Sequence, residues 1–403
     1  MKPAQFAALP LIGASIATLA LAQASIAAAP PFDTSAPVAF MQDMNTGAIL
    51  YSKQPDFQMP PASLAKMMTV YVTFSLIKSG QLKLDQKFTM QPETWKKWHA
   101  QGSTMFIGVG EQVSVADLLS GIITLSGNDA CIVMAEGIAG TEPAFVALMN
   151  QQAQKLGMTR SHFGTANGWP DNDVTHVTAR DLATLAEATI REFPDLYKTF
   201  YSKPNFTWGK TMGGSAISQE NRDPLLGKVQ GADGLKTGHT DEAGYGFTGS
   251  AEQGGHRLVA VMAGMKSFGE RAQQAIAFMN WGFASWRLKP LYAQGKRVDV
   301  AQVQGGAAST VGLVAPRDLA VTVPLSVGGI LGASTPGGAP PMKVVYDGPI
   351  KAPIAAGQHI ADLVVSPPGQ DPQTLPLVAE TEVKEAGFFG RIWASIKALF
   401  SWL

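Results

Sequence analysis

Pro60-Pro61-Ala62-Ser63-Leu64-Ala65-Lys66-Met67-Met68-Thr69 is the stretch from which the rest of the chain is read. Two prolines stand where a helix accepts them, at or just before its first turn. Good helix formers follow, with Leu64, Met67 and Met68 at packing spacing. Ser63 and Lys66 then lie three apart on one helix face, within reach of each other. A serine hydroxyl is a poor nucleophile until a base takes its proton. A lysine amine is such a base once burial or a second cation lowers its pKa. The helix N-terminus adds positive potential and free N–H groups for an oxyanion.

Taken alone, Ser-x-x-Lys is a weak signal, since a chain of this size holds roughly one by chance. A second match, Ser75 to Lys78, ends the same helical run, where Lys78-Ser79-Gly80 reads as a C-cap with a solvated lysine. Ser63 stands at a helix start, and what promotes it is the company further along.

The chain has 403 residues, a length for two or three domains. It is 46% hydrophobic and 15% charged, ample for a large core and unlike a disordered chain. Net charge is zero and no basic stripe is present, which argues against nucleic acid as a partner. Residues 1–29 read as a signal peptide. Lys2 precedes an apolar run from Phe6 to Ile26, and Ala27-Ala28-Ala29 offers a cleavage site before Pro30. An uncleaved anchor helix is the rival. The one cysteine, Cys131, excludes an internal disulfide, and its apolar neighbours make it a small core residue.

Ala39–Asn45 and Ala48–Tyr51 read as a hairpin around Asn45-Thr46-Gly47. The Ser63 helix stops near Gly80, and a polar connection with a strand covers Gln81–Gln91. Val113–Ala139 is strongly helical, interrupted at Ser126-Gly127-Asn128. Phe145–Leu156 and Ala179–Arg191 are further helices. Leu235–Thr240, Gly246–Ala251 and Arg257–Met265 read as strands, and Arg271–Trp286 as a closing helix. Strands at both ends with helices between predict one sheet built from both termini of an α/β domain over residues 30–290. Near Leu291 the character changes to alternating Val-rich strands punctuated by Gly and Pro, a small all-β domain over 291–378. Residues 379–403 begin with a spacer, Glu380–Gly387. They end in a stripe of Phe389, Ile392, Trp393, Ile396, Leu399, Phe400 and Leu403. The stripe is too short to span a bilayer and fits an amphipathic helix lying on a membrane surface. A helix docked on the protein's own core is the alternative.

Three short elements fall in order: Ser63-x-x-Lys66, Ser126-Gly127-Asn128 and Lys236-Thr237-Gly238. Each has a bland reading, a helix cap for Ser126 or a strand-end lysine for Lys236. Together, on helix start, inter-helix loop and strand, they match the trio of class A β-lactamases and penicillin-binding proteins, with Gly for the usual Asp in the second. The chain resembles low-molecular-mass penicillin-binding proteins, serine D-alanyl-D-alanine carboxypeptidases of peptidase family S11. Asp43–Leu50, Gly102-Ser103-Thr104-Met105, Asn167-Gly168-Trp169-Pro170, Thr178–Ala183 and Asn280-Trp281-Gly282-Phe283 carry it over nearly the whole chain. The implied fold is a β-lactamase/transpeptidase-like α/β (α+β) domain. It has an antiparallel sheet flanked by helices, followed by a β-rich domain and an amphipathic anchor. One departure precedes the third motif: relatives often carry Trp-x-Asn there, and this chain has Leu225-Leu226-Gly227-Lys228-Val229-Gln230-Gly231.

The resemblance implies that Ser63 attacks the carbonyl between two D-alanines of a peptidoglycan stem peptide while Lys66 accepts its proton. Backbone N–H groups of Ser63 and His239 form the oxyanion hole; Ser126 or Lys236 passes a proton to the leaving amine; Asn128 orients the substrate amide. Thr237 and Arg271 hold the terminal carboxylate. Gly238, lacking a side chain, lets an extended substrate approach the strand. β-Lactams acylate Ser63, and no metal or cofactor is needed. The enzyme is expected in the periplasm, attached to the outer face of the cytoplasmic membrane. A serine β-lactamase and an endopeptidase share the trio. Class A β-lactamases use a Glu for deacylation, and no Glu-x-x-Leu-Asn segment is present. A catalytically dead wall-binding protein would need no Lys66.

Overall fold

The computed structural model describes residues 29–210, 213–325, 340–367 and 370–387. Apart from Ala29, the expected signal peptide lies outside the described residues, as does the apolar stripe from Phe388 to Leu403. Strands β1 (Val38–Asp43) and β2 (Ile49–Lys53) form the expected hairpin. Gly47, at φ +76°, closes it by donating its N–H to the Asp43 carbonyl at 2.8 Å. A single turn of 3-10 helix, Ala62–Ala65, runs into α1 (Lys66–Lys78). β3 (Lys87–Thr89), α2 (Pro92–Trp98) and β4 (Gln112–Ser114) follow.

The helix expected to begin at Val113 begins two residues later. Val113 pairs with Phe88 across the β3–β4 ladder. Ser114 caps α3 (Val115–Ser120) by accepting the Asp117 N–H on its hydroxyl at 3.1 Å. The cap outranks the apolar periodicity, because an N-terminal N–H needs an acceptor. After Ser120 the coil widens to a π turn, Gly121–Leu125, which ends at Ser126 in the left-handed region. α4 (Asn128–Ala139) then starts, so Ser126-Gly127-Asn128 is the predicted break. α5 (Glu142–Lys155), α6 (Ala179–Glu192) and α7 (Pro194–Phe200) complete the helical layer. A hairpin of β5 (Asn205–Lys210) and β6 (Ala216–Glu220) leads to β7 (Ala232–Thr240), β8 (Gly244–Gln253) and β9 (His256–Met265). α8 (Phe268–Ser285) closes the domain.

The central sheet has the order β2-β1-β9-β8-β7, antiparallel throughout. β1 pairs with β9, so both ends of the domain meet in one sheet, as predicted. Both faces are covered, and alternation decides which residue goes where. Val38 and Phe40 of β1, with Val259 and Val261 of β9, join the large helical core. Ala39 and Met41, with Leu258, Ala260 and Met262, join a second core beneath α8, against Phe278 and Met279.

β10 (Trp286–Tyr292) leaves α8 without a break and pairs with β13 (Leu319–Pro324). The rest of the second domain is β11 (Arg297–Gln304), β12 (Thr310–Val314), β14 (Met342–Val345), β15 (Ile350–Lys351), β16 (His359–Val365) and β17 (Gln373–Ala379). These six form one sheet in the order β14-β16-β17-β12-β11-β15. The stretch read as a spacer, Glu380–Gly387, is instead largely docked on it. Val383 and Ala386 are buried, and the Ala386 N–H donates to the Gly305 carbonyl at 2.8 Å. Two apolar side chains and a backbone donor outweigh the acidic composition. A buried knot ties the domains: Asp43 accepts from Thr322 Oγ1 and lies against His256 Nε2, both at 2.7 Å.

Candidate active site

Ser63 sits on the 3-10 turn, and its hydroxyl meets Lys66 Nζ at 2.8 Å. Lys66 is fully buried, and its ammonium also donates to Asn128 Oδ1 at 2.8 Å and to the Asn167 carbonyl at 2.7 Å. Three donors and three oxygens match the charged form. Burial opposes that charge and brings the Lys66 pKa down from 10.5 to about 8, with Arg222 adding to the depression. Roughly a tenth of the amine is then neutral at pH 7, ready to take a proton from Ser63.

The second element is held from two sides. Ser126, φ 62°, turns the chain so that its side chain lines the cleft while its N–H donates to the Gly121 carbonyl. Asn128 bridges Lys66 and the Gln101 carbonyl, the latter at 2.8 Å through Nδ2. Asp129, wholly buried, accepts from Thr104 Oγ1 and the Met105 N–H at 2.8 Å and from the Ile107 N–H at 3.1 Å. One carboxylate thus fixes the Gly102–Ile107 loop against the Ser126 break.

β7 carries the third element along the other side. Thr237, Gly238 and His239 line the cleft, and Lys236 is buried behind them, donating to the Thr237 carbonyl at 2.9 Å. Burial first, then the charge of Lys66, pushes the Lys236 amine well below its ordinary value. Gly238 has a nearer reason than substrate access. A Cβ there would lie 2.8 Å from the Pro61 carbonyl oxygen and 3.1 Å from Leu64, so the strand needs glycine to reach the Ser63 turn. Arg271, from α8, is buried at the cleft wall. All nine residues singled out from the sequence therefore converge: seven line a cleft of about 500 Å³, and the two lysines lie beneath it.

Sequence reasoning missed two contributors. Arg222 lines the cleft and donates to Ser103 Oγ at 2.6 Å; nothing local distinguishes it from a solvated arginine. Asn167 supplies its backbone carbonyl to Lys66, which no side-chain pattern reveals. Gly168 makes that possible. At φ +72° a Cβ would come within 1.9 Å of the Ala62 carbonyl oxygen. Gly168→Ala is expected to lower Tm by roughly 5–10 °C through backbone displacement. A thermal melt within about 2 °C of wild type would mean the segment yields freely. The departing loop, Leu225–Gly231, stays out of the cleft lining, with Leu225 and Val229 buried in the second core. Cys131 is the core residue expected: its thiol donates to the Ala166 carbonyl at 3.1 Å, and burial pushes it up to about 11.

An antiparallel sheet between helices, with a serine–lysine turn facing a Ser-Gly-Asn break and a Lys-Thr-Gly strand, is the penicillin-binding-protein fold. Residues 23–267 match the D-alanyl-D-alanine carboxypeptidase family, peptidase S11, and 286–385 match the C-terminal domain of penicillin-binding protein 5. The D-alanyl-D-alanine carboxypeptidase DacA of Haemophilus influenzae is 35% identical over 370 residues, covering 90% of this chain and 89% of that protein. The Escherichia coli DacA is 34% identical, covering 89% and 86%. The crystal structure of penicillin-binding protein 5 from Haemophilus influenzae covers 89% of this chain and 100% of its own, with TM-score 0.74 at 34% identity. Penicillin-binding protein D2 from Listeria monocytogenes, solved in its ampicillin-bound form, aligns with TM-score 0.55 at 32% identity over 63% of this chain and 100% of its own. This chain belongs to the peptidase S11 family of D-alanyl-D-alanine carboxypeptidases.

Proposed function

We propose that this protein is a serine DD-carboxypeptidase that removes the terminal D-alanine of peptidoglycan stem peptides through an acyl-enzyme on Ser63. The observation that carries the reading is the buried Lys66 ammonium 2.8 Å from the Ser63 hydroxyl. A lysine is buried at such cost only where a depressed pKa serves it. Neutral Lys66 takes the Ser63 proton as Oγ attacks the carbonyl. The N–H groups of Ser63 and His239 receive the oxyanion, each such donor supplying about 3 kcal/mol. D-Alanine leaves as its nitrogen gains a proton from Ser126 or Lys236, and water then cleaves the ester. Asn128 orients the substrate amide, and Thr237 and Arg271 hold the terminal carboxylate. The same attack opens a β-lactam. Exported by its leader and held by its terminal apolar stripe, the enzyme works on the outer side of the cytoplasmic membrane.

The deciding experiment is D-alanine release from a stem pentapeptide, with and without penicillin. Release that penicillin abolishes supports the reading; no release in either case refutes it. The two lysines are coupled, since two buried ammoniums repel each other. Lys236→Ala is expected to slow acylation and move its rise with pH to higher values. An unchanged pH–rate profile would separate the two groups.

A further inference from the structure

Arg271 is buried at 3% exposure although it lines the cleft, and its Nε has no hydrogen-bond partner among the described residues. What surrounds it is aromatic. Phe268, one helical turn earlier on α8, places its ring 4.9 Å from the guanidinium carbon. Tyr245 of β8 lies 5.6 Å away and stacks on His239 of β7 at 3.8 Å between ring centroids. Phe268 also lines the cleft and is itself 55% exposed. An exposed ring at the head of a helix gains nothing from burial; here it covers a charge. Arg222 adds to the positive potential, and Asp223 is the carboxylate facing Arg271, with one oxygen committed to the Leu225 N–H at 2.8 Å.

A guanidinium stripped of water gains most from a ligand that brings a negative charge and two parallel acceptors, as a carboxylate does. A departing residue whose carboxylate is amidated brings no charge, so Asp223 alone is left to balance the guanidinium. We infer that Phe268 is a specificity-determining residue: by keeping water off Arg271 it makes a free α-carboxylate on the departing residue a condition of cleavage, so that an amidated terminus is rejected. This rests on the carboxypeptidase reading above.

The test compares kcat/KM for an N-acyl-L-Lys-D-Ala-D-Ala peptide and for its C-terminal amide. Wild type is expected to prefer the free acid roughly a hundredfold. Phe268→Ala is expected to lower that preference at least about tenfold, the effect of losing a desolvated cation–π cover. Phe268→Tyr, which keeps the ring, should retain it. A preference in Phe268→Ala within about twofold of wild type overturns the inference. So does an equal loss on both substrates, which marks a merely structural role, or loss of the preference in Phe268→Tyr. Wild type that cleaves neither peptide, releasing neither D-alanine nor D-alaninamide, refutes the carboxypeptidase reading itself.

Discussion

Ser63→Ala is expected to abolish D-alanine release and covalent labelling by a fluorescent penicillin, a loss of at least about 10⁴-fold. The size follows from the geometry. Acyl transfer needs a hydroxyl with a base at hydrogen-bond distance, and Ser63 with Lys66 at 2.8 Å supplies it. Ser103 and Ser126 also line the cleft, but the Ser103 hydroxyl is held by Arg222 at 2.6 Å, and Ser126 is only 4% exposed on a left-handed turn, which suits proton transfer better than attack on a bulky carbonyl. The substitution removes one oxygen from a turn held by the Leu64 N–H to Pro61 carbonyl bond at 3.1 Å, so the fold should survive. Gel fluorescence and intact-mass measurement read the outcome together. Labelling that persists in a folded variant would move the nucleophile elsewhere, with Ser126 the first candidate.

What could be read from residues alone divides along physical lines. Ser63 and Lys66 were legible because their contact is local, three residues apart on one turn. The sheet was legible because β1 and β9 each carry apolar runs bounded by turns, and antiparallel strands at the two ends need a common partner. The start of α3 was misplaced because Val113 fits a helical stripe as well as a strand, and only the Ser114 cap separates the two. Arg222 was invisible because its partner, Ser103, is distant in sequence. Gly238 was picked for substrate access, and the structure adds a second reason. Its missing side chain makes room for the Pro61 carbonyl, a steric fact that needs coordinates. Contacts between distant backbone atoms leave no trace in side-chain pattern, and this site uses several.

Lys66 is the second place where a large effect is expected, and the sign can be worked out. The amine acts as a base only when neutral, and burial lowers its pKa to about 8. Acylation should therefore rise with pH through about 8 and level off above it. At pH 6 only about one molecule in a hundred holds the neutral amine, so acylation there should run near one-tenth of its pH 7 rate. Lys66→Ala is expected to cost about 10³–10⁴-fold in acylation by penicillin. Lys66→Arg should do no better, since a guanidinium stays protonated over the whole range. Stability follows the same titration with its own sign. The folded-state pKa lies below the ordinary 10.5, so between about pH 8 and 10.5 the unfolded chain binds more protons at this site. The contribution of Lys66 to stability should then rise across that window, in step with the neutral form that catalysis uses. A stopped-flow acylation profile flat from pH 6 to 9 in wild type, or substantial activity in Lys66→Arg, would take the base away from Lys66 and leave it a structural cation between Asn128 and Asn167.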